Sequence, residues 1–346
     1  MKRPTHRDIA LIAKVSHVTV SLALRGHPSI PKNTRERIEK VAKQIGYRPD
    51  PALQSLMVYR RSAKPSSYQG TLAWINNYES NPERLKDQFS KYFLGAQERC
   101  AELGYQLEEF RMVDLDMNFK RLSKVLRARN IQGLLFPPQE TQRHITMANF
   151  EWENFSLIAF GFSLMRPKLD VVTNAQFRST RLAVRKLRSL GYRRIGFVIE
   201  ARMNERSDQN FLAGFLIEQR RFLRLECVPV HLLFLKSKTP RQEGFSEWFS
   251  RRKPDVILSV GGVIPDYYRV LNDADRKHCG LALMDVPDSN TDLSGINQNN
   301  LIIGRVAVDT LVAKIHANER GIPITPRRIL IEGRWVVGTT APRVTQ

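Results

Sequence analysis

The sequence predicts an α/β protein with an N-terminal helix-turn-helix head and a body of two doubly wound parallel-sheet subdomains. Three observations predict it. The first 48 residues carry closely spaced helix caps, each followed by a short apolar stripe. From Gly70 the pattern changes to short β-rich runs separated by amphipathic helices, and strand–helix alternation implies parallel sheets covered on both faces. The body, about 275 residues, is too long for one mononucleotide-type unit, so two similar subdomains enclosing a cleft are the economical arrangement.

The head is read first. Thr5-His6-Arg7-Asp8 has the S/T-x-x-D/E form of a capping box, and Ile9, Ile12 and Ala13 follow at helical spacing. Lys14-Val15 makes a short break. Ser16-His17-Val18-Thr19 then offers a second N-cap, with Val20, Ala23 and Leu24 as the buried side of a second helix. Two short helices joined by a tight turn form a helix-turn-helix, whose second helix is built to enter a major groove. A third helix starts near Pro31. Its Ile38, Val41, Ala42 and Ile45 form one stripe, and Gly46 ends it.

In the body, Thr71–Ile75 reads as a buried strand, followed by a helix with Phe89, Tyr92, Phe93, Ala96, Cys100 and Leu103 on one face. Further strands are expected at Gly133–Phe136, Leu157–Phe160, Ile195–Ile199, Val228–Leu235, Val256–Val260 and Leu281–Met284. Helices are expected at Thr180–Leu190, Asp208–Arg221 and Ile302–Asn318.

Charge narrows the choice of partner. Lys and Arg number 55 against 34 Asp and Glu, a net charge of +21 at pH 7. Met1–Lys64 alone holds 14 basic and 4 acidic residues, so less than a fifth of the chain carries nearly half of the excess. A basic head on a larger body points to a polyanion, nucleic acid before an acidic membrane surface. With 42 % apolar and 26 % charged residues the composition is that of a folded chain, not a disordered one. No run approaches the roughly 18 to 20 apolar residues of a membrane span, so no membrane partner is expected. The first residues lack the apolar run of a signal peptide, which predicts a cytoplasmic protein. Cys100, Cys227 and Cys279 are scattered without C-x-x-C spacing and read as reduced thiols. The seven histidines form no H-E-x-x-H, and G-x-G-x-x-G after a strand, G-x-x-x-x-G-K-[ST] and G-x-S-x-G are absent. No catalytic residue, metal or cofactor is therefore expected, and the chain is not read as an enzyme.

One set of residues goes further than these patterns. Thr5-x-x-Asp8-Ile9-Ala10, Ala13-Lys14-Val15-Ser16, Thr19-Val20-Ser21 and Thr34-Arg35-Glu36-Arg37-Ile38, closed by Gly46-Tyr47-Arg48-Pro49, resemble the head of the lactose-repressor (LacI/GalR) family in order and spacing. The resemblance implies a DNA-binding transcriptional regulator, more often a repressor. It would bind a palindromic double-stranded operator as a homodimer, under control of a small-molecule, carbohydrate-related effector. It implies base contacts from His17, Val18 and Leu22, the first polar and the others apolar. It implies phosphate contacts from Thr5, Ser16, Thr19, Ser21, Asn33, Thr34 and Tyr47. Pro49–Met57 falls where the family has a hinge helix, and Leu56 where its leucine wedges the minor groove. The family's Asn-x-x-Ala-Arg pattern reads Asp50-x-x-Leu53-Gln54 here, which removes an expected minor-groove arginine.

The body would be periplasmic-binding-protein-like. The expected division is a head over 1–48, hinge and linker over 49–69, and a body over 70–346. Within the body, the N-subdomain takes about 70–172 plus 299–325, and the C-subdomain about 173–298 plus 326–346. By alignment with sugar-binding relatives, the cleft is expected to hold Asn76, Asn77, Phe160, Phe211, Asp285 and Gln298. Phe160 and Phe211 stand where an aspartate and an arginine are usual, Ala175 replaces another aspartate, and Gly261-Gly262 replaces Asn-Asp. Hydroxyl-rich ligands are selected by buried polar groups, so these changes argue against an ordinary hexose. They leave two readings: a more apolar or aromatic ligand stacked on Phe160 and Phe211, or a body kept mainly for dimerisation. Two rival functions stay open as well, a sequence-nonspecific architectural DNA binder and a solute-binding protein.

Overall fold

The computed structural model describes residues 4–24, 30–47, 68–76, 83–112, 119–139, 143–144, 150–234, 242–261, 268, 271–287 and 292–344. In the head, α1 (His6–Ala13), α2 (His17–Leu24) and α3 (Lys32–Gln44) pack around one small core. Ile9 and Ala13 from α1 meet Val20 and Ala23 from α2 and Ile38, Val41 and Ala42 from α3. Ile12 departs from the expected stripe and is 52 % exposed, because Ile9 and Ala13, one turn apart, define the buried face.

The body begins with β1 (Gly70–Asn76), α4 (Glu83–Glu102), β2 (Tyr105–Arg111), α5 (Phe119–Ala128) and β3 (Gly133–Phe136). It continues through β4 (Arg143–His144), β5 (Ser156–Phe160), β6 (Leu164–Arg166) and β7 (Val171–Asn174). The chain then crosses into α6 (Gln176–Ser189), β8 (Ile195–Glu200), α7 (Ala201–Arg206), α8 (Asn210–Gln219) and β9 (His231–Leu233). After α9 (Gln242–Arg252), β10 (Val256–Val260), α10 (Asp273–His278), β11 (Gly280–Leu283) and β12 (Ser294–Asn297), it crosses back into α11 (Asn300–His316) and β13 (Arg328–Ile331). It ends at β14 (Arg334–Val336).

Two six-stranded sheets result, in the orders β13-β7-β5-β3-β1-β2 and β14-β12-β11-β10-β8-β9. Every pairing in the first is parallel, and in the second only β12–β14 is antiparallel. Each sheet is covered on both faces, and the period-two alternation of side chains shows it directly. Leu72 and Trp74 join the cluster under α4 and α11, while Ala73 and Ile75 join the opposite one under α5. Phe197 and Ile199 likewise face α6 and α8, while Val198 faces α9.

Two expected boundaries move. Thr173 and Asn174 belong to β7 of the first sheet, not to the C-subdomain. Residues 326–346 are divided, because β13 pairs with β7 and places Ile329 and Ile331 against the first core, whereas β14 pairs with β12. The chain therefore passes between the halves near 175, 299 and 332–333. The expected strand at Val228–Leu235 shrinks to His231–Leu233. Among the described residues, no helix is long and apolar enough to cross a membrane.

Candidate nucleic-acid interface and interdomain cleft

The capping box at the start of α1 is complete. Asp8 accepts from the Thr5 backbone N–H at 2.6 Å and from the Thr5 hydroxyl at 2.7 Å, and the Thr5 side chain takes the Asp8 backbone N–H in return. Lys14 turns the chain in the left-handed region (φ 50°), which lets α2 start three residues later at a new angle. There the Ser16 hydroxyl accepts the Thr19 N–H at 3.0 Å and lies 2.8 Å from the Thr19 hydroxyl. Val20 and Ala23 anchor α2 inward. That leaves His17 and Val18 on the outer side, Val18 53 % exposed, with Leu22 partly covered.

Of the residues expected at phosphates, Thr5, Ser16 and Asn33 are exposed, while Thr19, Ser21, Thr34 and Tyr47 are half-buried. Tyr47 is already engaged. Its hydroxyl lies 2.8 Å from the His6 Nε2 and its ring leans on the His6 ring, tying the end of the head back to α1. Leu56, and the whole expected hinge helix over 49–57, lies outside the described residues.

The second site lies where the chain passes between the two sheets. A cavity of about 40 Å³ is lined from the first half by Tyr92, Pro138 and Phe162 among others, and from the second by Gln176, Met203, Arg206 and Phe211. Thr173, Asn174 and Gln298 line it at the crossings. Three of these side chains are wired together. The Thr173 hydroxyl donates to the Asn174 amide oxygen at 3.1 Å, Asn174 donates to the Gln298 amide oxygen, and Gln298 donates to the Met284 carbonyl. Thr173, Asn174 and Gln298 are all at least 97 % buried, so each bond stands in place of solvent.

The six residues expected in the cleft separate. Phe211 and Gln298 line the cavity. Phe160 does not. It is fully buried, because alternation along β5 turns Ala159 to one face and Phe160 to the other, where it stacks on Tyr92 (centroids 5.5 Å apart) and leans on Trp74. Its place at the cavity is taken by Tyr92. Asn76 is also elsewhere, donating to Glu109 on the neighbouring strand at 2.7 Å, and Asp285 accepts from Asn300 at 3.1 Å without lining the cavity. Asn77 lies outside the described residues, as does Gly262 of the expected Gly-Gly replacement.

The sequence profile described as "Bacterial regulatory proteins, lacI family" matches residues 5–50, the segment that builds this head. Residues 5–50 thus carry a lacI-family head. It is 21 % identical over 337 residues to the transcriptional regulator MalR of Streptococcus pneumoniae, spanning 94 % of this chain and 97 % of that one. It is 49 % identical over 47 residues to the repressor CytR of Escherichia coli, 14 % of each chain. Among solved structures, a complex of the transcriptional regulator CelR with cellobiose superposes with a TM-score of 0.60 at 19 % identity, covering 98 % of this chain and all of that one. A lac repressor dimer bound to operator and the anti-inducer ONPF gives 0.58 at 18 %, covering 99 % and 100 %. These likenesses give the α/β fold of the body.

Alignment with sugar-binding relatives missed Arg206. Phe211 stands at the usual arginine position, yet an arginine reaches the cavity from the last turn of α7, five residues earlier. Gln176 was missed too, although its place just after β7 marks it as the first residue of α6. Length and phase of α7 carry this information, and a short helix flanked by a strand and a left-handed turn at Asp208 and Gln209 leaves little trace in hydrophobic periodicity.

Proposed function

We propose that this chain is a sequence-specific transcriptional repressor of the cytoplasm, binding a palindromic operator as a homodimer, with an effector held between the two halves of the body. The observation that carries the proposal is the way α2 is mounted. Its inner side is locked onto α1 and α3 through Val20 and Ala23, its N-terminus is capped by Ser16, and His17 and Val18 stand clear of the protein. In this reading His17 donates to a purine acceptor, and Val18 and Leu22 make apolar contact with a thymine methyl. Thr5, Ser16, Thr19, Ser21, Asn33, Thr34 and Tyr47 fix the register on the phosphates, and Leu56 wedges the minor groove between half-sites about one helical turn apart. The chain acts by binding and not by catalysis. Effector binding shifts operator affinity only by its differential affinity for two arrangements of the halves.

The test is selection of bound fragments from random duplex DNA by the full-length protein at about 50 and 200 mM salt, the range over which phosphate contacts weaken. A palindrome enriched at both concentrations is the expected result. Enrichment without a motif, lost at the higher concentration, would leave only a sequence-nonspecific architectural binder.

A further inference from the structure

We propose that the cleft takes a small ring-bearing carboxylate rather than a neutral sugar; this rests on the effector reading above and names its ligand class. Four features of the lining point the same way. First, among the described lining residues Arg206 is the one charged side chain, and no carboxylate lines the cavity to accept from sugar hydroxyls. A guanidinium carries five N–H donors in a fork suited to carboxylate, enough to serve a ligand beside protein acceptors.

Second, α6 begins at the same wall. Its N-cap is Ala175, which offers no side-chain cap, so the positive end of a 14-residue helix faces the cavity beside Gln176. Third, Gln176 is 9 % exposed and its amide oxygen has no hydrogen-bond partner. A buried acceptor left unbonded is costly, and a ligand hydroxyl or amine next to the carboxylate would satisfy it. Fourth, apart from Arg206 and Gln176 the polar side chains are already engaged with the protein: Asn174 and Gln298 bond each other, and the Ser163 hydroxyl accepts the Gln139 N–H at 2.6 Å. What remains is aromatic and apolar, Tyr92, Phe162 and Phe211, the surface for a ring. The cavity holds only a few waters at about 40 Å³, so the halves part to admit the ligand and close on it.

The experiment is calorimetric titration and thermal melting of the full-length protein with benzoate, 4-hydroxybenzoate and cyclohexanecarboxylate. Benzamide and 4-hydroxybenzamide serve as neutral partners, and glucose and cellobiose as sugars. The expected result is binding by carboxylates, tightest for 4-hydroxybenzoate, with the amides at least tenfold weaker. Arg206→Gln should weaken the carboxylates tenfold or more. Gln176→Glu, which sets a negative charge at the start of α6, should abolish their binding. Both variants are to be checked by circular dichroism for a wild-type melting curve without ligand. Sugars binding while carboxylates do not, or carboxylates bound equally by Arg206→Gln, would overturn the ligand class and leave an effector in the cleft. If none of the three series binds, the effector reading falls with it.

Discussion

Asn174 and Gln298 join two of the three segments that pass between the halves of the body: Asn174 ends β7, Gln298 follows β12, and the amide of one donates to the amide of the other. Because Thr173 feeds the first and the Met284 carbonyl receives from the second, the four groups form a line of hydrogen bonds across the hinge. Gln298→Leu keeps the volume but orphans the Asn174 N–H and the Met284 carbonyl. A loss of about 1–3 kcal/mol is expected from the unsatisfied groups, measured by urea unfolding. A variant as stable as the wild type would show that the line does not hold the hinge.

A second prediction concerns the base-reading helix. His17→Ala should flatten the preference at one base position in each half-site, by about 1–3 kcal/mol, in a fragment selection run beside the wild type. Preference unchanged at every position would remove His17 from the readout.

The cap below it is separable. Ser16→Ala takes away the acceptor for the Thr19 N–H at the start of α2 and should lower the stability of the head by about 1 kcal/mol. Ser16→Asp keeps an acceptor and should restore that stability, while its negative charge opposes phosphate and weakens DNA binding. Circular dichroism melts and DNA titrations on the two variants separate the roles.

Gly95 and Gly304 set how closely α4 and α11 approach. A Cβ at Gly304 would lie 2.7 Å from the Ala96 nitrogen and closer still to the Tyr92 carbonyl, and one at Gly95 would strike the Leu301 carbonyl. These obstacles are backbone and cannot swing aside. Gly304→Ala should therefore destabilise by about 1–3 kcal/mol, as overpacking does. It should also shift Tyr92 at the cavity wall, visible as a changed tyrosine environment in near-ultraviolet circular dichroism.

Asp170 gives a pH prediction. Burial pushes its carboxyl up, but hydrogen bonds from Arg327 and Lys314, the latter at 2.5 Å, more than offset this and hold it below its ordinary value. A carboxylate depressed in the folded state stabilises fully above its unfolded pKa, about 4, and the contribution fades as pH falls through the lower folded value. The wild-type melting temperature should fall in that acid window. Asp170→Asn should be less stable at neutral pH, since Lys314 is 4 % exposed and is left with Glu319 alone as counter-ion, and its melting temperature should depend less on acid.

How much of this was legible beforehand depends on the scale of the signal. The head was readable almost residue by residue, since capping boxes and i, i+4 stripes are local: Thr5, Asp8, Ser16, Val20 and Ala23 do what their spacing implies. The interior strands β1, β3, β5, β8, β10 and β11 were readable as apolar runs, whereas β7 and β12, with polar residues such as Thr173, Asn174, Ser294 and Asn297, were not. The edge strands β2, β13 and β14 were not, because half of each is solvated and their partners lie far away in sequence. The cleft was the least legible. Phe160 and Arg206 are separated from the expected arrangement by a one-residue alternation in a strand and by the phase of a six-residue helix, and alignment carries neither.

The return of the chain to the first sheet has a consequence for biosynthesis. The half that begins at Gly70 has only α4 over one face until α11 is made, since Ile303, Ala307, Val308 and Leu311 complete that core, and β7 stays an open edge until β13 arrives. The other half also waits for the end of the chain, which brings β14 to its margin and Ala341 into its core. On the ribosome, then, the first sheet is begun first but is finished only after most of the second has been made. The first half holds apolar surface and a bare strand edge exposed while about 125 intervening residues are translated. This is the interval in which the nascent protein is most exposed to aggregation and to chaperones.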